Sequence, residues 1–175
     1  MNDDVFPLQQ GSLDWLCSIY AAINVMHLRG TIATLNEAAV PFGKAIEFMQ
    51  KEKGWNLSKA ICEGIDEENC CQLFQKLSEA DWEVDSGKVY PDRLSRLKEL
   101  LDRGAKAVVV SLVRDASEEK EKRKVVMHYT VVTEVSSTRL TTWDSQGKKI
   151  ERNAGSLQYD GADVRLGYFY FMKAK

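Results

Sequence analysis

"VVMHYTVVTEVSSTRLTTWDS", residues 125 to 145, is the stretch that decides how this chain folds. Both halves are rich in β-branched and aromatic residues, and the serines between them supply a short polar turn, so the stretch predicts an antiparallel hairpin. With the turn at Ser136-Ser137 and the hairpin centred on Ser136, His128 and Asp144 each stand eight residues from the centre and face one another across the ladder. Their Cβ atoms are then ~5 Å apart, close enough for the carboxylate to hold and orient the imidazole. A centre half a residue later puts the two one step out of line. Trp143, beside Asp144, points to the opposite sheet face by alternation and is expected to pack there.

Two more stretches read as strands, AVVVSLV at 107 to 113 and RLGYFYFM at 165 to 172. Before Gly104 the period is helical. The stretch Trp15 to Leu28 has Leu16, Ile19, Ile23 and Met26 at helical spacing and is expected to be buried on most sides, with Gly30 as its stop. A second helical region, Leu35 to Lys53, is expected to be interrupted near Pro41. Asp66 to Glu79 is an amphipathic helix with an acidic first turn, its Cys70, Phe74 and Leu77 on one face and Cys71 beside them; both cysteines read as core. Pro91 opens a further helix whose Leu94, Leu97, Leu100 and Leu101 face inward and which Gly104 ends. Helices first and strands second, without alternating βαβ units, is the pattern of an α+β fold with an antiparallel sheet. SEEKEKRK at 117 to 124, seven of its eight residues charged, reads as a solvated loop between strands.

The chain of 175 residues fits one domain spanning 1 to 175. Hydrophobic residues make up 44% and charged residues 29%, with a formal net charge of −2, which argues against an electrostatic bid for nucleic acid or an anionic membrane. The start, MNDDVFPLQQG, lacks the features of a secretory signal, and no apolar run approaches the ~20 residues that span a bilayer. A cytoplasmic location is the expectation, with a signal-independent export route left open. The four cysteines, at 17, 62, 70 and 71, form no CxxC pair, and with His27 and His128 they match no zinc-ligand spacing. No metal and no organic cofactor is implied.

Against that background QQGSLDWLCSIY, residues 9 to 20, poses a choice for Cys17. A cysteine on an apolar helix is ordinarily a small core filler. Cys17, however, falls in the first turn of its helix, where unpaired backbone N–H groups and the helix dipole favour a thiolate. Upstream, Gly11 lets the Gln10 side chain turn toward the same helix end, where a carboxamide can donate to an oxyanion. A thiolate mechanism needs a base. His27 is ten residues along the same helix, ~15 Å away by the helical rise, and reads as structural or exposed. Two roles fit His128, a hydrogen-bonded interior ring or a base lining a cleft. Asp144 likewise opens an ordinary Asp-Ser-Gln-Gly turn, and only the histidine opposite makes it an orienting group; Ser145 and Gln146 belong to the turn and receive no role.

A Gln before a Cys at a helix start, a long intervening segment, then His in a strand and Asp on the next resembles the papain-like cysteine peptidases. It is most similar to compact bacterial members such as the bacteriocin-processing peptidase domains, with "LDWLCSIYAAIN" at the helix start and "HYTVV" followed by "WDSQG". The likeness touches residues 9 to 26 and 126 to 147 and leaves the middle third unmatched. It implies a papain-like fold, its helical part packed on the C-terminal sheet, with Cys17 as nucleophile, His128 as general base and acid, Asp144 as orienting group and Gln10 as oxyanion donor. Two departures stand out. Ser18 follows the nucleophile where many members have Gly, and Gln10 precedes Cys17 by seven positions where six or fewer is more usual, so Gln9 stands as the alternative donor. The implied activity is hydrolysis of an amide, peptide or isopeptide bond in a protein or peptide substrate through an acyl-enzyme thioester. Two alternatives remain open on the same residues: acyl transfer to an amine, transglutaminase-like, or a catalytically inactive papain-like module that binds a partner. The oligomeric state is not legible.

Overall fold

The computed structural model describes residues 7–10, 15–78, 80–86, 92–115, 124–145, 148–159 and 161–173. The helices α1 (Cys17–Leu28), α2 (Leu35–Lys51), α3 (Leu57–Glu63) and α4 (Glu67–Ser78) come first. They are followed by strand β1 (Trp82–Asp85), helix α5 (Arg93–Asp102), and strands β2 (Val108–Asp115), β3 (Lys124–Val135), β4 (Arg139–Asp144) and β5 (Lys148–Asn153). A small pair, β6 (Gln158–Tyr159) with β7 (Ala162–Asp163), precedes the last strand, β8 (Arg165–Met172). The class is α+β. Six strands form one antiparallel sheet in the order β1-β8-β2-β3-β4-β5. No helix among the described residues is long and apolar enough to cross a membrane.

Strand alternation divides the core in two. Val109, Tyr129, Val131 and Tyr170 face the layer built by α1, α2 and α4, where Ile19, Ile23, Leu73 and Phe74 are fully buried. Val108, Val110, Val132, Leu140 and Phe169 face the other way and are covered by Leu97 and Leu100 of α5. The segregation of helices before strands is therefore incomplete: β1 precedes α5, pairs with the C-terminal β8, and α5 covers the second face. Arg93 and Arg96 hold this arrangement together, bonding Asp85 at 2.7 and 2.8 Å, while the Arg93 guanidinium lies 3.7 Å over the Phe169 ring. Gly167 on β8 admits no larger residue without movement, because a Cβ there would collide with Ser111 Oγ, Val113 and Glu67.

Three sequence expectations are corrected. Pro41 does not interrupt α2; Ala38, Pro41, Ala45 and Met49 fall on one buried stripe, and their packing outweighs the lost backbone bond, with a Thr34–Glu37 capping box fixing the start. Trp15 and Leu16 precede α1, so that Cys17 is its first residue. Pro91 lies outside the described residues, as does 116–123 of the charged stretch, and the helix after it starts at Arg93 with the Asp92 side chain accepting from Ser95 N. The short α3 and the strands β1, β5, β6 and β7 carry no strong period and are additions to the sequence reading.

The decisive hairpin differs in register from its expectation. Thr130 faces Asp144, Val131 faces Trp143 and Val132 faces Thr142; beyond a bulge at Thr133, Val135 faces Leu140. The loop is Ser136-Ser137-Thr138, one residue longer than a two-residue turn, with Ser136 N donating to Arg139 O at 2.9 Å. His128 is consequently two residues beyond the partner of Asp144 rather than opposite it. Because side chains alternate with a period of two, a slip of two keeps both on the same face as diagonal neighbours. A slip of one would have separated them. On its other side His128 faces Leu112, and the next pair is Val113 with Val126, which leaves Met127 as the extra residue of a bulge adjoining the histidine.

Phe74 is fully buried between Trp82 and Tyr170, at ring separations of 5.0 and 5.3 Å, whereas Val84 is 45% exposed. In urea titrations Phe74→Ala is expected to lower the unfolding free energy by about 3–5 kcal/mol and Val84→Ala by less than ~0.5 kcal/mol.

Candidate active site

Four segments converge where α1 begins and β4 ends. Cys17 opens α1 because the apolar run behind it is buried almost throughout, from Cys17 to Met26 with Tyr20 alone only partly covered. The residue before it, Leu16, provides no side-chain cap, and the backbone N–H groups of a first turn have no acceptor within their own helix. Cys17 is 7% exposed. His128 and Asp144, 3% and 0% exposed, come from neighbouring strands of one sheet face.

His128 Nε2 bonds Asp144 Oδ1 at 2.9 Å. Cys17 Sγ lies 4.0 Å from Trp15 O, and the thiol is close enough to the imidazole to act on it by hydrogen bond and charge. Burial disfavours the charged imidazole, but the hydrogen bonds and charges of Asp144 and Cys17 outweigh it and push its pKa up to about 9. Asp144 Oδ2 accepts from Thr130 Oγ1 at 3.3 Å and from Arg152 Nη2 at 2.9 Å, so that a carboxylate out of contact with water has partners on both oxygens. Tyr159 of β6 stacks on the imidazole, with ring centroids 4.3 Å apart and planes 10° apart.

The segment ahead of α1 is fastened to both neighbours. Leu8 N donates to the buried Asn24 Oδ1 on α1 at 2.7 Å, and Gln10 N donates to Ser145 O, next to Asp144, at 2.6 Å. Ser145 Oγ lies 3.5 Å from Gln10 Oε1 and 3.4 Å from His128 Nε2. Gln10 is thus brought to the His128 end of β4 and half-buried there, whereas Gln9 is exposed. Gly11, to which the sequence assigned the turn toward the helix, and Gln146 lie outside the described residues.

The remaining candidates separate from this group. His27 Nδ1 bonds Ile32 O at 3.1 Å and its ring stacks on Trp143, which packs against the main core on the face opposite Asp144. Cys70 is fully buried, with burial pushing its thiol well above the usual range; Cys71 is partly buried and also raised by burial; Cys62 is exposed on α3. Arg152, Tyr159 and Thr130 were not singled out from sequence, and Ser145 was read as part of the turn and given no role. Thr130 and Ser145 had only alternation and adjacency to Asp144 as signals, and Arg152 and Tyr159 sit on strands too short or too charged to be recognised. No protein-family model matches the chain, and no match to it is found among curated proteins.

The raised imidazole sets a pH dependence. A histidine charged in the fold up to about 9 but titrating near 6.5 when unfolded contributes stability that is complete below 6.5 and is lost as pH rises through 9. Denaturant titrations are expected to show the unfolding free energy falling as pH rises through about 9. Asp144→Asn is expected to flatten the fall, and an equal fall in that variant would assign it elsewhere.

Proposed function

We propose that this chain is a papain-like cysteine hydrolase that cleaves an amide, peptide or isopeptide bond, with Cys17, His128, Asp144 and Gln10 as its working groups. The observation that carries this reading is the single imidazole with Asp144 on Nε2 and the Cys17 thiol within reach of the ring. Nucleophile, base and orienting acid in one chain of contacts is what acyl transfer through sulfur requires. The order in sequence, Gln and Cys at a helix start followed by His and Asp on adjacent strands, supports the same reading.

In this mechanism His128 already holds the proton surrendered by the thiol, and the Cys17 thiolate bonds to the acyl carbon of the substrate, the carbonyl electron pair moving onto oxygen. The resulting oxyanion accepts hydrogen bonds from the Cys17 backbone N–H and the Gln10 carboxamide. Its collapse breaks the carbon–nitrogen bond, and the imidazolium gives its proton to the departing amine. Water, deprotonated by His128, then attacks the thioester, releases the acid and restores the thiolate, with the proton again on His128. Asp144 stays ionised throughout and holds the ring in position.

Thiol reactivity tests the reading without a known substrate. Near neutral pH, iodoacetamide is expected to alkylate Cys17 at least about tenfold faster than Cys62, although Cys62 is the exposed one, as read by peptide mass mapping. His128→Ala is expected to slow labelling at Cys17 alone. Faster labelling at Cys62 would leave a buried, unactivated thiol and contradict the proposal. A panel of acyl-amide substrates, with Cys17→Ala as blank, is then expected to show amine release that the blank lacks.

A further inference from the structure

Arg152 is a feature of the site that the mechanism above does not use. It stands on β5 opposite Leu140, four residues back along β4 from Asp144 and on the same face, and its side chain is 14% exposed. The guanidinium reaches in two directions. Nη2 bonds Asp144 Oδ2 at 2.9 Å, and Nη1 bonds the backbone oxygen of Gln158 at 3.0 Å. Gln158 immediately precedes Tyr159, the ring stacked on His128. One side chain therefore joins the far side of the carboxylate to the strand that carries the cover of the imidazole.

We propose that Arg152 is a positioning residue for the Asp144–His128 pair, clamping one carboxylate oxygen so that the other is presented to the imidazole with its charge partly offset; this rests on the hydrolase reading. Among the described residues, the groups facing His128 are Cys17 from α1, Asp144 from β4, Tyr159 from β6 and the Ser145 hydroxyl, with Arg152 behind Asp144 from β5. A carboxylate whose only charged partner is the imidazole holds the ring proton tightly, which serves removal of the thiol proton and opposes its delivery to the leaving amine. A cation on the second oxygen weakens that hold while keeping the carboxylate oriented. A purely structural arginine would act in the opposite sense, since losing it would let the carboxylate drift and the imidazole lose its proton more easily.

The two cases are separated by the titration of His128 followed by its ring-proton NMR signal. In Arg152→Gln the midpoint is expected to lie about one pH unit or more above wild type, and in Arg152→Lys, which keeps the charge, within about half a unit of it. Arg152→Met, which keeps the aliphatic stem, carries the same expectation where the glutamine variant does not fold. A midpoint at or below wild type in the neutral variants overturns the proposal. In turnover assays the neutral variants are expected to lose kcat several-fold with KM unchanged. The titration needs no turnover, so a raised midpoint in a protein that releases no amine from any substrate supports Arg152's hold on the pair and removes only the hydrolase reading.

Discussion

A carboxylate shut away from water needs a partner for each of its oxygens, and much of this site follows from how Asp144 meets that demand. Left without partners, its burial would cost several kcal/mol. It is supplied instead with an imidazole on Oδ1 and with a guanidinium and a hydroxyl on Oδ2. The partners come from the two strands that flank β4: His128 and Thr130 from β3, Arg152 from β5. The sheet order, with β4 between those two strands, is what permits the arrangement.

The same carboxylate explains the state of the histidine. A ring as buried as His128 would ordinarily be neutral, and its proton is retained because the carboxylate bonds one nitrogen and the Cys17 thiol approaches the ring. The helical layer enters at this point. α1 is buried along nearly its whole length, which fixes where its first residue stands, and the segment before it is tied to Asn24 and to Ser145, which brings Gln10 to the same end. Packing of an apolar helix and pairing of a polar strand end thus deliver a sulfur, an imidazole, a carboxylate and a carboxamide to one region.

Much of this was legible in residues, and the exceptions have physical causes. The four main strands and the helices around Ile23, Phe74 and Leu97 stand out because their apolar residues repeat at strand or helix spacing over enough residues to register. The pairing of His128 with Asp144 was legible for a subtler reason: the loop is longer than assumed and the strand bulges at Thr133, yet the resulting slip of two leaves the face unchanged. Pro41 misled because a local rule about proline competes with a buried stripe that only tertiary packing supplies. KKIERN carries one apolar residue in six, so β5 has no period to recognise, and with it Arg152 was invisible. Tyr159 was invisible because a two-residue strand has no pattern at all.

The central claim is that one imidazole is shared between the Asp144 carboxylate and the Cys17 sulfur, and its most direct measurement is the NMR of the two His128 ring nitrogens at neutral pH. The account predicts that both nitrogens carry protons in the wild-type protein, and that in Cys17→Ala the signal of Nδ1 changes while the Nε2 proton stays bonded to Asp144. A neutral ring whose two nitrogen signals are indifferent to the loss of the thiol would contradict it.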